Sequence, residues 1–128
     1  MPSNLIRQEQ ATASFAQVNV LEAKEKPGDV PKEYRSHVLK LPMMIKQNGL
    51  IAAAAFVHKN RQKDAYGLLE AHLAGWLTRK DAPVPLPAGD PLYNRFLSLS
   101  SADYITATRD AQRLLLWLKR FSEALIGE

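Results

Sequence analysis

Residues 41–63 read LPMMIKQNGLIAAAAFVHKNRQK, and this stretch decides the fold class. It has an apolar front, an Asn-Gly step at Asn48 and Gly49, four consecutive alanines and a basic tail. Pro42 lacks a backbone donor, so it is expected to start or kink one helix, and Gly49 is expected to end that helix with a positive φ. The alanines strongly favour a second helix. The stretch therefore predicts a helix, a structural corner at Pro42, Asn48 and Gly49, and another helix.

Helical periodicity continues downstream of this corner. Apolar residues recur every three or four positions in two segments: Tyr66, Leu69, Leu73 and Trp76, then Ala107, Ala111, Leu114, Leu118, Phe121 and Leu125. This spacing places each set on one face of a helix. Ser100, followed three residues later by Asp103, resembles a capping box and is predicted to open the last helix.

The upstream segment also has a helical pattern. Residues 4–24 contain no glycine or proline and have apolar residues at heptad spacing, Ile6, Ala13 and Val20. No window of the sequence shows the sustained alternation that is typical of a β-strand. We therefore predict an all-α fold, a compact single-domain bundle of about five helices. The predicted helices are 4–24, 33–47, 49–59, 62–79 and 101–126.

The composition bears on domain number and location. A chain of 128 residues fits one domain, 1–128, in which the stretch KDAPVPLPAGDP (80–91) is predicted to be a proline-rich internal loop. There is no cysteine, which removes disulfides and cysteine-ligated zinc and fits a reducing cytoplasm. The apolar run 50–57 is far shorter than the roughly 20 residues of a membrane-spanning helix. We expect a soluble, non-secreted, cytoplasmic protein.

Motifs for catalysis are missing from the sequence. His37, His58 and His72 fall on three different predicted helices without the spacing of metal ligands. There is no His-Glu-x-x-His motif, no phosphate loop and no Gly-x-Ser-x-Gly motif. His72 is predicted to be a partly buried polar residue rather than a ligand. We expect no enzymatic activity, no metal and no cofactor.

Two features of the predicted helices leave a choice between core and interface open. Gly67, Ala71 and Gly75 form a stripe of small residues, which is predicted to let helices three and four pack closely, with contact to another subunit as the alternative. Trp76 and Trp117 lie in similar settings, LAGWLTR and LLLWLKR. They are predicted to be core residues, with an anchor for a partner protein as the alternative. The apolar turn LLLWL is either central in the bundle or covered by a partner.

Positive charge is concentrated in one segment, residues 34–63. This basic segment carries six lysines and arginines and no acidic residue, whereas the other 98 residues carry 11 basic and 13 acidic groups. Binding of a polyanion requires such a concentration, because affinity comes from neutralising phosphates and releasing counterions. A solvated helix face is the usual alternative explanation for a run of like charges.

Three stretches together resemble a known family: YRSHVLKLPMMIKQNGLIAAAAFVHK, AYGLLEAHLAGWL and YITATRDAQRLLLWLKRFSEA. They are similar to the small helical subunit of the type III-B CRISPR RNA-targeting effector, the fifth protein of the Cmr set. The shared pattern is a Leu-Pro-x-x-Ile-x-x-Asn-Gly-Leu corner at 41–50, an alanine-rich helix ending in an apolar pair at 52–57, a Trp-Leu helix end at 76–77, and a last helix with Tyr104 and Trp-Leu-Lys-Arg at 117–120. The resemblance covers roughly residues 34–126.

The resemblance implies an all-α, non-catalytic protein, copies of which stack beside the duplex of guide and target RNA. It also implies contacts with other Cmr subunits, namely the backbone subunits that hold the guide RNA and the large subunit. Charge and position then select the candidate RNA-binding residues: Lys46, Lys59, Arg61, Lys63, Lys40 and Arg35, with Arg113, Lys119 and Arg120 as secondary candidates. The alternative hypothesis is a free-standing helical adaptor that binds only protein.

Overall fold

The computed structural model describes residues 4–127, and all of its regular elements are helices. They are α1 (Asn4–Lys24), α2 (Val30–Asn48), α3 (Leu50–Lys59), α4 (Asp64–Leu77), a short 3₁₀ helix (Leu92–Phe96) and α5 (Ser101–Leu125). No strand is present in this described part of the chain, so the predicted all-α fold is confirmed. None of the helices within it is both long enough and apolar enough to cross a membrane.

The helix boundaries differ from the predicted ones at α2 and α4. Helix α2 begins at Val30 rather than at 33, because Pro31 occupies its first turn, where a missing N–H leaves no hydrogen bond unmade. Helix α4 spans 64–77 rather than 62–79, since Lys63 has an extended backbone and Thr78 leaves the helical region. The 3₁₀ helix after the proline-rich loop was not predicted. Ser100 caps α5 as predicted, with its Oγ accepting from the Asp103 N–H at 3.1 Å.

Helix α5 lies at the centre of the bundle and packs against α1, α2 and α4. The predicted apolar face is confirmed over its first four positions, which are buried: Ala107, Ala111, Leu114 and Leu118. Phe121 and Leu125 are only half-buried near the end of the helix. In the apolar turn, Leu115 is buried and Leu116 is exposed. The apolar turn is therefore mainly a central core element, with one side that reaches the surface.

The buried face of α1 does not coincide with the apolar residues at heptad spacing. Of these three residues only Val20 is buried, whereas the Ile6 side chain is 48% exposed. The buried face consists instead of small and polar residues, Thr12, Ala16, Asn19, Val20 and Ala23. The larger apolar side chains Leu5 and Val18 are 76% and 66% exposed. The predicted helix 4–24 is confirmed, and short side chains line most of its buried face while the long apolar ones lie outside.

The stripe of small residues does not lie between α3 and α4, so that prediction is wrong. A Cβ atom at Gly67 would lie 2.7 Å from the carbonyl oxygen of Arg61, which shows that the turn before α4 folds back onto this helix. A Cβ atom at Gly75 would lie 3.4 Å from the Phe15 ring of α1. Ala71 is exposed. Helices α3 and α4 do contact each other, through the rings of Phe56 and Tyr66 and through the pair of His58 and Glu70.

The two tryptophans occupy different environments. Trp76 is buried, as predicted, and its Nε1–H donates to both the carbonyl oxygen and the Oδ1 of Asp110. Trp117 is half-buried, and the guanidinium of Arg120 lies 4.9 Å from its ring centroid. The shared Leu-x-x-Trp-Leu-x-Arg pattern therefore gives one core residue and one residue at the protein surface.

The predicted corner is present and is held by α5. Gly49 has φ 93° and ψ 163°, which confirms its positive φ, and its N–H donates to the Ile45 carbonyl at 2.8 Å. The hydroxyl of Tyr104 on α5 accepts from the Ile51 N–H at 3.0 Å, so it satisfies a free donor in the first turn of α3. Pro42 lies inside α2 rather than at its start, and its carbonyl oxygen accepts from the amide of Gln112 at 3.0 Å.

Candidate RNA-binding surface

The basic segment occupies most of α2, all of α3 and the turn that leads into α4. Five of its six basic side chains are exposed, and none of these five forms an ion pair within residues 4–127: Lys40, Lys46, Lys59, Arg61 and Lys63. The sixth, Arg35, is half-buried. These five charges are therefore available to an anionic partner.

The fold brings Lys40 of α2 and Lys63 of the α3–α4 turn to the same side chain, His37. The His37 ring stacks on Tyr66 of α4, with ring centroids 3.6 Å apart and an interplanar angle of 13°. Burial lowers the pKa of His37 to about 4, and the positive charges of Lys40 and Lys63 contribute to this lowering. His37 is consequently neutral at pH 7, and its stack with Tyr66 is an uncharged aromatic pair within the electrostatic influence of the two lysines.

Aromatic side chains next to these lysines were missed by sequence reasoning. Phe56 of α3 meets the Tyr66 ring edge-on at 5.7 Å and is itself partly exposed. Aromatic rings beside cationic groups suit single-stranded nucleic acids, because every base has a face that can stack. The signal was present in the sequence, since Phe56 and Tyr66 lie on either side of the basic stretch 58–63.

Arg61 lies in a different environment from Lys40 and Lys63. Its Nη1–H donates to the His58 carbonyl at 2.9 Å, at the end of α3. It also lines a surface cavity that contains Glu70, which pairs with His58 at 2.8 Å, and Asp90. A segment without acids in the sequence is therefore next to acids in space. Lys59 and Lys46 lie in the last turns of α3 and α2.

The secondary candidates are divided between two places. Arg113 and Arg120 line the same shallow depression between α1 and α5, together with Trp117 and the exposed Leu116. Lys119 is exposed but lies outside this lining. The depression measures about 260 Å³ and combines arginine with apolar surface, which is a composition common at protein interfaces.

A cluster of arginines elsewhere was not predicted. A cavity of about 560 Å³ is lined by four of them, Arg7, Arg79, Arg109 and Arg113. Arg79 packs over the Trp76 ring at 3.5 Å from its centroid. The fold assembles this cluster from α1, α5 and the residues that follow α4, so only the i, i+4 spacing of Arg109 and Arg113 was visible in the sequence.

His72 is more deeply buried than predicted and belongs to a hydrogen-bonded network. The Tyr34 hydroxyl lies 2.7 Å from His72 Nδ1, and His72 Nε2 lies 2.7 Å from Glu22 Oε1. Burial raises the pKa of Tyr34 and lowers that of His72, while the hydrogen bond to His72 lowers the pKa of Glu22. A neutral His72 that accepts from Tyr34 and donates to Glu22 satisfies all three groups. Within residues 4–127 no group of three or more histidine or acidic side chains could hold a metal ion.

His37 is expected to make the protein less stable in mild acid. Its folded-state pKa of about 4 lies below the ordinary value of 6.5, so between these values only the unfolded chain binds the proton. His37 therefore causes no loss of stability above pH 6.5. Below that value its contribution lowers the free energy of unfolding progressively as the pH approaches 4. Between pH 7.5 and 4.5 the wild type loses part of its free energy of unfolding. His37→Gln should make this loss smaller by about 1–2 kcal/mol, after allowance for solvent screening. Urea unfolding at both pH values measures this, and an equal loss in the variant and the wild type would contradict it.

Comparison with known proteins gives a consistent set of relatives. A family model described as CRISPR-associated protein (Cas_Cmr5) matches residues 8–125. The protein described as CRISPR system Cmr subunit Cmr5 from Thermus thermophilus is 35% identical over 101 residues, which cover 79% of this chain and 82% of that protein. The crystal structure of a CRISPR-associated Cmr5 family protein, also from Thermus thermophilus, superposes with a TM-score of 0.77 at 32% identity, covering 99% of this chain and 100% of the other.

Proposed function

This chain belongs to the Cmr5 family of CRISPR-associated proteins, and from that membership we propose that it is the small, non-catalytic subunit of a cytoplasmic type III-B CRISPR ribonucleoprotein effector. The observation that carries the proposal is the family match over residues 8–125, together with a relative whose name identifies it as a Cmr subunit. In this role several copies stack along the duplex of guide and target RNA. They bridge the backbone subunits and the large subunit in antiviral RNA interference.

Contact with RNA is assigned to the basic segment. Its exposed lysines and Arg61 carry no ion pair within residues 4–127, so their charges can neutralise phosphates without first breaking a bond to a carboxylate. Lysine on a helix surface contacts the phosphate backbone and reads no base. Such binding suits a subunit that must accept a duplex of any sequence. The partly exposed Phe56, whose ring meets Tyr66 edge-on, adds a surface on which an unpaired base can stack.

Contact with other protein subunits is assigned to the surface of α1 and α5. Leu5, Val18 and Leu21 of α1 and Leu116 of α5 are exposed large apolar side chains. Leu5 and Leu116 line the same depression as Trp117. Exposed apolar surface of this kind is typical of interaction sites, because burying it against a partner removes it from water. This surface supports stacking of copies and docking on the other Cmr proteins.

Purification of the tagged chain from its native host tests the proposal. We expect guide RNA and the larger Cmr protein subunits to be retained with it through washes at moderate salt. The same tag on an unrelated small helical protein from that host is the control. Recovery of protein partners without guide RNA would contradict the proposal and would favour a free-standing adaptor.

Replacing four residues of the basic segment should weaken capture of target RNA. The variant carries Lys46→Ala, Lys59→Ala, Arg61→Ala and Lys63→Ala. For the isolated subunit and single-stranded RNA, four phosphate contacts with about 0.7 counterion released per contact give a log–log salt slope near −3, so a fourfold rise in salt should weaken wild-type binding roughly fiftyfold. The variant should keep its helical circular dichroism, bind target RNA more weakly as part of the complex, and show a flatter slope. Filter binding over a range of salt concentrations measures both quantities.

A matched control tests whether RNA binding depends on where the removed positive charges lie or only on how many are removed. It replaces four lysines outside the basic segment, Lys24, Lys26, Lys32 and Lys80, by alanine. We expect this control to retain most of the wild-type affinity and slope. If the basic-segment variant also assembles and captures RNA with the wild-type affinity and slope, the segment is a solvated face and the subunit acts as a protein spacer.

A further inference from the structure

We propose that the cavity between α1, α5 and the residues that follow α4 binds a phosphate group, supplied by a nucleotide or by the RNA backbone. The cavity measures about 560 Å³ and has arginines from three parts of the chain in its lining, Arg7, Arg79, Arg109 and Arg113. None of these four belongs to the basic segment to which RNA contact was assigned above. The inference therefore does not rest on the proposed function.

One of the four arginines is already committed to the fold. Arg79 donates from Nη1 to Asp110 Oδ2 at 2.7 Å and from Nη2 to Asp110 Oδ1 at 3.1 Å. Its Nε also lies 3.4 Å from Asp81 Oδ1. Asp110 is only 2% exposed and also accepts from Trp76, so its charge is matched from within the protein. Arg79 thus lines the cavity with its charge already paired.

The other three arginines have N–H donors that are not used by an ion pair at hydrogen-bond distance within residues 4–127. Arg7 and Arg109 form no ion pair within residues 4–127. Arg113 Nη1 lies 3.8 Å from Asp110 Oδ1, a distance longer than a hydrogen bond. Arg109 and Arg113 are four residues apart on α5, and like charges at this spacing destabilise a helix. An anion between them would relieve this repulsion and use the free N–H groups.

The chemistry of the lining favours phosphate. Each guanidinium presents a planar fork of donors that matches two oxygens of a phosphate, and several forks from different directions suit its tetrahedral shape. Among residues 4–127 the only carboxylate that lines the cavity is Asp81, which is 88% exposed and already pairs with Arg79 at 3.4 Å. Ala11, Trp76 and Pro83 provide the apolar part of the cavity lining. A volume in the range of small-ligand pockets leaves room for a sugar or a base next to the phosphate.

Titration of the isolated chain followed by NMR tests the site. The probes are inorganic pyrophosphate, adenosine monophosphate and a single-stranded oligoribonucleotide of about ten nucleotides, a length within the site size of single-strand binders. The reporter is the indole N–H of Trp76, because it lines the cavity and is bonded to Asp110. The indole N–H of Trp117, which does not line it, is the internal reference. We expect a saturable shift of the Trp76 signal and little change at Trp117.

A pair of variants identifies the ligand-binding residues. Arg7→Gln with Arg109→Gln should weaken pyrophosphate binding by about tenfold or more, since both lose charge-assisted hydrogen bonds. The control pair, Lys24→Gln with Lys32→Gln, removes the same charge from exposed positions outside the cavity and should bind as the wild type does. Equal weakening in both pairs, or no Trp76 shift with any probe, would overturn the proposal.

Competition between the probes distinguishes the two sources of phosphate. If the oligoribonucleotide shifts Trp76 and displaces pyrophosphate, the RNA backbone is a source. If only pyrophosphate or the mononucleotide shifts it, the site takes a small phosphate ligand. The variant with alanine at Lys46, Lys59, Arg61 and Lys63 should retain pyrophosphate binding at this cavity. Loss of RNA capture through the basic segment and absence of phosphate binding at this cavity can therefore be observed separately.

Discussion

Asp110→Ala is expected to lower the free energy of unfolding by about 3 kcal/mol. Asp110 is 2% exposed and is held by two hydrogen bonds from Arg79 and one from Trp76 Nε1. Removing the carboxylate leaves the Arg79 charge, which is only 18% exposed, without its buried partner, and the remaining ion pair at 3.4 Å is with the exposed Asp81. An orphaned, largely buried charge costs more than the pair contributes, because its desolvation is no longer offset. Urea unfolding followed by circular dichroism measures the loss.

Three further variants, Glu123→Ala, Arg79→Met alone and Asp110→Ala combined with Arg79→Met, separate the loss of the buried partner of Arg79 from a simple loss of negative charge. Glu123→Ala removes a carboxylate from an exposed position on the same helix and should change stability by less than about 0.5 kcal/mol. Asp110→Ala combined with Arg79→Met removes the orphaned charge and should recover part of the loss. The two single losses would then not add. If the loss of unfolding free energy in the double variant equals the sum of the losses in Asp110→Ala and Arg79→Met, the two residues act independently. That result would contradict the explanation given for Asp110→Ala.

Gly49→Val is expected to destabilise the protein by about 1–3 kcal/mol. At φ 93° and ψ 163° the backbone lies in a region that a β-branched residue enters only with strain. A Cβ atom at this position would also lie 3.2 Å from the Tyr104 hydroxyl, which accepts from the Ile51 N–H at the start of α3. The substitution therefore strains the backbone and crowds the group that caps α3. A lower melting temperature by several degrees is the expected measurement.

Two controls identify the origin of this effect. Gly75→Ala adds a methyl group at a helical position where the nearest atom, on Phe15, is at an ordinary contact distance of 3.4 Å, so it should be neutral or slightly stabilising. Tyr104→Phe removes only the hydroxyl and should cost about 1 kcal/mol, the value of a lost cap. An unchanged melting temperature for Gly49→Val would mean that the corner has another backbone conformation.

The candidate RNA-binding residues were chosen from a linear run of charge, and the fold divides that run. Lys40 and Lys63, distant in sequence, both act on the charge of His37, whereas Arg61 lines a cavity that also contains Glu70 and Asp90. The arginine cavity was not predicted at all. Its members come from α1, α5 and the residues after α4, and no local pattern connects Arg7 with Arg109. Clusters of this kind depend on how helices pack, so a charge count along the chain cannot find them.

The sequence by itself determined the five helices, the positive φ of Gly49, the Ser100 cap and the buried face of α5. These features depend on interactions within a few residues, namely backbone hydrogen bonding, capping and the 3.6-residue period. Only the tertiary structure decided which face of α1 is buried, where Gly67 and Gly75 make close contacts, and which tryptophan enters the core. Those outcomes depend on the shape of neighbouring helices, because a small residue gains burial only where a partner surface comes close enough to cover it.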